Sequence, residues 1–249
     1  MKCPHCQFEQ SDQSSECMRC GIVFEKYRNL PPRRKISPSN PHGKSVEGKG
    51  GVRDLILHVA PGTNPFPWAG RMIVFLILLI WGWIFILTPM KVNYPGSSFW
   101  HLVNLPFHEA GHILFTPFGR WMSSLGGTLG QLLIPLLCLT VLLVKTKDPF
   151  GGAVSLWWLG ESFMDIAPYI ADARKQELML LGGVTGKEAD YGYHDWEFIL
   201  GQIGCLRYDQ ILAHLADKLG VILMLISFLW AGAILLKQVQ TMEWGLKDE

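Results

Sequence analysis

The sequence has almost no net charge. Its 22 Lys and Arg residues and 21 Asp and Glu residues give a formal charge of +1 at pH 7. Nucleic-acid-binding proteins usually carry a basic excess or a basic patch, and solvated acidic scaffolds carry the opposite excess. We therefore expect no nucleic acid among the partners of this chain.

The N-terminus lacks the apolar run of a secretion signal, because Met1 and Lys2 lead directly into Cys3. Apolar runs begin only after Trp68 and extend over about twenty residues each, the length that spans a lipid hydrocarbon core. These features predict a mainly α-helical, polytopic membrane protein that contacts the lipid bilayer. We expect its N-terminal head in the cytoplasm and a bacterial inner membrane as its location.

Five segments have the length and composition of transmembrane helices. They run from about Ala69 to Thr88, Ser98 to Phe118, Thr128 to Val144, Ala153 to Ile170 and Leu219 to Leu236. With a cytoplasmic N-terminus, an odd number of spans places the C-terminus outside. The membrane domain is thus predicted over residues 69–249, after a flexible linker and interfacial segment over residues 31–68.

Only six cysteines occur, and four of them form two C-x-x-C pairs near the N-terminus: Cys3 with Cys6, and Cys17 with Cys20. In a reducing compartment, two such pairs are typical of one tetrahedral metal site with no open position. A redox pair and ligation by His5 are the alternatives. Residues 1–30 resemble a zinc ribbon, which implies a structural zinc ion and a head that can bind a cytoplasmic protein partner.

A polar motif, His108-Glu109-Ala-Gly-His112, interrupts the second predicted span. At helical pitch the two histidines lie one turn apart on one face, so both imidazoles can bind a single zinc ion. Glu109 projects beside them and can act as general base towards a water molecule that the metal polarises. Because such groups are costly to bury among lipid tails, the motif predicts a hydrolytic zinc centre.

A catalytic zinc site with two histidines needs a further protein ligand. The fourth predicted span carries Glu161, Asp165 and Asp172 roughly along one stripe, and Asp165 lies deepest in its apolar surroundings. We predict Asp165 as the third ligand, with Glu161, Asp172 and His194 as alternatives. Asp195 is interpreted as the cap of a short helix, and His194 is a candidate substrate contact or transition-state stabiliser.

Three features together resemble the core of the site-2 protease family, whose members are intramembrane zinc metalloproteases. They are the motif at residues 108–112, the glycine-rich stretch from Gly126 to Gly130, and Asp165. The resemblance covers about residues 98 to 172, although Met164-Asp165-Ile166 replaces the family's Leu-Asp-Gly.

The resemblance implies roles for five residues of this chain. The catalytic zinc ligands are His108, His112 and Asp165, the general base is Glu109, and Gln131 stands where the family uses an asparagine to hold the substrate strand.

Two functions are compatible with these features. The first is an intramembrane zinc endopeptidase that cuts a membrane-embedded or membrane-proximal segment of another membrane protein. The alternative is a non-proteolytic membrane protein that binds metal and acts as a scaffold or regulator through its zinc ribbon. Glu109 separates the two, because a scaffold does not need an acid between its metal ligands.

Overall fold

The computed structural model describes residues 1–3, 6, 8–12, 14–24, 51–59 and 64–242. The chain forms two units, one within residues 1–49 and one within residues 50–249. The predicted linker up to residue 50 and the alternative ligand His5 lie outside the described residues.

The described part of the second unit is helical. Its helices are α1 (Val52–Ile56), α2 (Pro65–Leu87), α3 (Phe99–Phe115), α4 (Arg120–Val144), α5 (Pro149–Ala171), α6 (Asp195–Gln202) and α7 (Asp209–Gln240). Local sequence explains several helix starts. The side chain of Asn64 accepts a hydrogen bond from the backbone of Phe66 at the start of α2, and the side chain of Ser98 accepts one from Trp100 at the start of α3.

Three helical segments are long and apolar enough to cross a membrane: Pro65–Leu87, Arg120–Val144 and Leu206–Gln240. A mainly helical, membrane-type fold is therefore observed, whereas the prediction of five spans is not confirmed. Helix α3 forms where a span is predicted, but it has only 17 residues. Helix α5 has 23 residues, and its buried positions include polar Ser155, Glu161 and Asp165.

Helix α5 lies at the centre of the bundle and packs most extensively against α7. The two backbones approach closely at Gly160 and Gly220, where a Cβ atom on Gly220 would lie 2.5 Å from the carbonyl oxygen of Gly160. An apolar core surrounds this contact; its buried members are Leu78, Phe85, Trp157, Met164, Met224 and Phe228. Close packing of this kind fixes the rotation of α5 and therefore the direction of its polar side chains.

The glycine-rich stretch brings α4 against α3. A Cβ atom on Gly111 would lie 2.0 Å from the carbonyl oxygen of Gly126, and one on Gly130 would lie 2.3 Å from that of Phe107. Only residues without a side chain permit this approach. The contact places the polar side of α3 directly beside Gly127 and Gln131 of α4.

The first and last described residues of the second unit lie at the same end of the helix bundle. The indole Nε1 of Trp68 donates to the carbonyl oxygen of Leu235 at 3.2 Å, and Nζ of Lys237 donates to that of Leu57 at 2.6 Å. The beginning of α2 and the end of α7 are therefore close in space.

The first unit is built around its cysteine pairs. Isolated antiparallel bridges join Lys2 to Glu9 and Glu16 to Val23, one beside each pair. The buried side chains of Cys3, Cys17 and Phe24 form its small core. A core this small contributes little to stability, and a metal ion held by the cysteines would add folding free energy to this unit.

Candidate metal centre

The imidazoles of His108 and His112 are oriented by hydrogen bonds from their Nδ1 atoms. Nδ1 of His112 lies 2.8 Å from the carbonyl oxygen of Ser123, and Nδ1 of His108 lies 3.3 Å from Oε1 of Gln131. Because both partners are acceptors, each Nδ1 donates a hydrogen bond. In a neutral ring the Nε2 atom then carries a lone pair that can bind a metal ion.

Asp195 completes a group of three ligand atoms with these histidines. Its Oδ2 atom lies 3.4 Å from Nε2 of His108 and 3.4 Å from Nε2 of His112. The three ligand atoms all lie within 4.8 Å of one another.

The spacing of this group fits a shared zinc ion. Nitrogen and oxygen ligands at zinc distances of about 2.0 to 2.2 Å are separated by roughly 3.3 to 3.5 Å in a tetrahedral site. A charge-assisted hydrogen bond would instead be about 2.7 to 2.9 Å long.

Tyr169 and the start of α6 hold Asp195 in place. The hydroxyl of Tyr169 donates to Oδ2 of Asp195 at 3.2 Å and accepts a hydrogen bond from its backbone nitrogen at 2.9 Å. His194, which is fully buried, is the residue that caps α6, because its Nδ1 accepts a hydrogen bond from the backbone of Glu197. The interpretation of Asp195 as the cap was therefore wrong: the helix start directs Asp195 towards the histidines.

Asp165 is not a member of the group formed by His108, His112 and Asp195. Its carboxylate lies 2.9 Å from Nδ1 of His101 and accepts hydrogen bonds from Gln131 at 2.8 Å and Asn104 at 3.2 Å. The rotation of α5 directs Asp165 to the part of α3 that precedes the motif. This geometry corrects the prediction of Asp165 as the third ligand and favours Asp195.

Glu161 and Asp172 also bond away from the two histidines of the motif. Glu161 is fully buried and accepts a hydrogen bond from Asn104 at 2.9 Å. Asp172 lies 3.5 Å from Nε2 of His194 and accepts hydrogen bonds from the backbone of Glu177 and Leu178. Burial raises the pKa of Asp172, but its hydrogen bonds to His194 and to these two backbone groups lower it overall. Neither carboxylate joins the candidate centre.

Gln131 connects the centre to Asp165. The side chain is only 3 % exposed, and its amide contacts both His108 and Asp165. Through these bonds it orients a candidate metal ligand. Its predicted role in holding a substrate strand stays a prediction.

Gly127 faces both imidazoles. A Cβ atom at this position would lie 2.5 Å from Nε2 of His108 and 2.6 Å from Nε2 of His112. A glycine therefore leaves space where the two nitrogen lone pairs converge. The glycine-rich stretch thus leaves space at the candidate centre and also allows α3 to pack closely on α4.

The candidate centre opens into a cavity of about 400 Å³. Its lining includes the motif residues His108, Glu109 and His112 together with Asp195 and His101. An apolar wall is formed by four successive residues: Leu178, Met179, Leu180 and Leu181. The cavity therefore combines a general-base candidate, metal-ligand candidates and an apolar surface in one space.

The four cysteines of the first unit also form a group that could hold a metal ion. Sγ of Cys3 lies 3.8 Å from that of Cys20, and Sγ of Cys6 lies 3.6 Å from that of Cys17. Disulfide sulfurs would be about 2.05 Å apart. Sulfurs that share a tetrahedral zinc ion at about 2.3 Å are separated by roughly 3.8 Å, so the spacing fits a metal site better than a disulfide.

Comparison with protein-family models, curated proteins and solved structures gives no match to this chain. Inference about its function therefore depends on the geometry of the site. Sequence reasoning missed Asp195, Tyr169 and His101. The acidic residue at the first position of α6 was visible in the sequence, but such a residue is favourable at any helix N-terminus and does not by itself indicate a ligand.

Proposed function

We propose that this chain is a zinc-dependent endopeptidase of the membrane that hydrolyses a peptide bond in a membrane-embedded or membrane-proximal segment of its substrate. The observation that carries the proposal is the convergence of Nε2 of His108, Nε2 of His112 and Oδ2 of Asp195. These three residues would bind the ion. Bound zinc would supply Lewis acidity for attack by water on a carbonyl group.

Glu109 is the proposed general base. It follows His108 on α3 and lines the same cavity as the ligand candidates. Its carboxylate would accept a proton from the attacking water and return one to the leaving amine. A metal-binding scaffold would not need an acid between the two histidines, so Glu109 is the residue that separates an enzyme from such a scaffold.

The apolar wall of the cavity favours a substrate with apolar side chains. Met179 and Leu181 are 69 % and 56 % exposed although their side chains are large and apolar. They lie in a cavity next to polar groups, where a substrate with apolar side chains would cover them. Three helical segments of the same protein are long and apolar enough to cross a membrane. Their presence supports a membrane protein as the substrate.

The cysteine group of the first unit is proposed to hold a second, structural zinc ion. A site with four thiolates leaves no position for a substrate, so this ion would not take part in hydrolysis. The head is then a module for a cytoplasmic protein partner, as in the scaffold function. A chain with an intact head and an inactive centre would still be able to act as a scaffold.

The test uses purified full-length protein with a panel of single-span membrane peptides. We expect cleavage by the wild-type protein, loss of cleavage with a chelator, and recovery on adding zinc. Glu109→Gln should bind zinc but cleave about 10²- to 10⁴-fold more slowly. Glu177→Gln is the matched control, because Glu177 is exposed and pairs with Lys187 at the surface. Equal cleavage rates for Glu109→Gln and wild type would contradict Glu109 as the general base, and absence of cleavage by the wild-type protein would support the scaffold instead.

A further inference from the structure

His101 and Asp165 form a pair in the wall of the cavity. Nδ1 of His101 lies 2.9 Å and 3.1 Å from the two carboxylate oxygens of Asp165, and the side chain of Asp165 is only 2 % exposed. Such contacts fix the ring orientation and show that Nδ1 donates. The other nitrogen, Nε2, makes no hydrogen bond to any described residue. The His101 side chain is 38 % exposed and lines the cavity.

The same carboxylate is connected to the candidate metal centre. Oδ2 of Asp165 accepts a hydrogen bond from Nε2 of Gln131, whose Oε1 accepts one from Nδ1 of His108. Asp165 therefore orients two imidazoles, one directly and one through an amide. Asn104 fixes the carboxylate further by donating to it at 3.2 Å.

The carboxylate of Asp165 is buried and hydrogen-bonded to three side chains. A His101 that was only solvated would not require such a partner. The arrangement holds an imidazole rigidly with one nitrogen free in the cavity. Peptide groups offer both a donor and an acceptor, so this nitrogen can bond to a peptide backbone in either protonation state of the ring.

We propose that His101 binds a peptide group of the substrate, and that Asp165 is the positioning residue for both His101 and His108. This inference rests on the proposed function and names a substrate-binding position of the same site. Asp165 acts through the two histidines and does not contact the reacting atoms.

The position of His101 on α3 indicates which substrate residue it binds. His101 precedes His108 by seven residues, or about 10 Å along a helix at 1.5 Å per residue. An extended peptide rises about 3.3 Å per residue. For a substrate that lies extended along α3 with the bond that is cut beside His108, His101 therefore reaches a peptide group about three residues from that bond.

The test measures peptide binding to the full-length Glu109→Gln protein, in which turnover does not interfere. Peptides that match a cleaved substrate are extended by one residue at a time on each side of the cleavage point. We expect the affinity to rise roughly 3- to 10-fold when the residue that reaches His101 is added, as for one hydrogen bond. A second substitution in the Glu109→Gln protein, His101→Phe, should abolish that increase in affinity. The control substitution His214→Phe, at an exposed position of α7, should leave the increase unchanged.

Asp165→Asn has two expected effects. It should abolish the same increase in peptide affinity and should weaken zinc binding at the centre by about 10- to 100-fold, as measured by chelator competition. His101→Phe should leave zinc affinity unchanged, which also shows that this variant is folded. His101→Gln gives a second test of the binding increase if the aromatic variant holds no zinc.

The inference is overturned if both His101 variants show the wild-type increase, or if Asp165→Asn leaves peptide and zinc affinity unchanged. Failure of the proposed function looks different, since the wild-type protein would then cleave no peptide. An active wild-type enzyme whose His101 variants bind extended peptides equally well would contradict this inference alone.

Discussion

Nε2 of His108 and Oδ2 of Asp195 lie 3.4 Å apart, although 87 positions separate the two residues in the chain. The distance is too long for a good charge-assisted hydrogen bond and agrees with two ligands of one zinc ion. Helices α3 and α6 thus meet at a single point where metal binding would stabilise the fold. Zinc should therefore raise the thermal stability of the second unit.

Tyr169→Phe should weaken zinc binding at the centre by about 10- to 100-fold. The variant removes the hydroxyl that donates to Oδ2 of Asp195 and accepts from its backbone. Chelator competition on the purified protein measures the change. Tyr191→Phe is the control, since Tyr191 is exposed and its ring packs on Phe198. An unchanged affinity in Tyr169→Phe would show that Asp195 is held by other contacts.

Gly127→Ala should lower zinc affinity at the centre at least roughly tenfold. The added methyl group would lie 2.5 Å from Nε2 of His108, so the imidazoles must move apart. Gly70→Ala is the matched control, because a Cβ atom on that helical glycine meets open space. Circular dichroism checks that both variants remain helical. Wild-type zinc affinity in Gly127→Ala would place the metal away from the Nε2 atoms.

Asp172→Asn should lower the free energy of unfolding by about 1 to 3 kcal/mol at neutral pH, because the carboxylate accepts two backbone hydrogen bonds. Its pKa is lowered from the usual value of 3.8 in the folded protein. The carboxylate therefore contributes stability above about pH 4, and this contribution decreases as the pH falls through its folded pKa.

Chemical unfolding of the zinc-free protein in detergent, at pH 7 and near pH 3, measures this difference. We expect the free energies of unfolding of wild type and Asp172→Asn to differ clearly at pH 7 and to differ less at pH 3. Asp190→Asn, at an exposed loop position, should show no such difference at either pH. A difference in the free energy of unfolding that is larger at pH 3 than at pH 7 would contradict the assigned direction of the pKa shift.

The helices and the histidine motif could be predicted from local sequence. Apolar runs and turn residues determine where helices form, and the spacing of His108 and His112 places both on one face of α3 whatever surrounds it. The span count depends on packing as well. Helix α3 is short and lies along α4, where Gly111 and Gly126 bring the backbones together. The hydropathy of the sequence does not predict that contact.

The candidate third ligand could not be predicted from local sequence. Asp165 had the favourable position in a helical stripe, but the rotation of α5 directs it to His101 and Gln131. Asp195 comes from a short helix whose placement depends on His194 and Tyr169. Such contacts between distant parts of the chain follow from tertiary packing. An aspartate at a helix start is too common to reveal them.

Zinc content of wild type, Asp195→Ala and Asp165→Ala tests the central claim most directly. Each full-length protein is dialysed against zinc-buffered solution, and zinc per chain is measured by elemental analysis. The account predicts about two zinc ions for wild type, one in the cysteine site and one in the centre. It predicts about one for Asp195→Ala and about two for Asp165→Ala at saturating zinc. Retention of two ions by Asp195→Ala, with loss of one in Asp165→Ala, would contradict the assignment of Asp195 as the closing ligand.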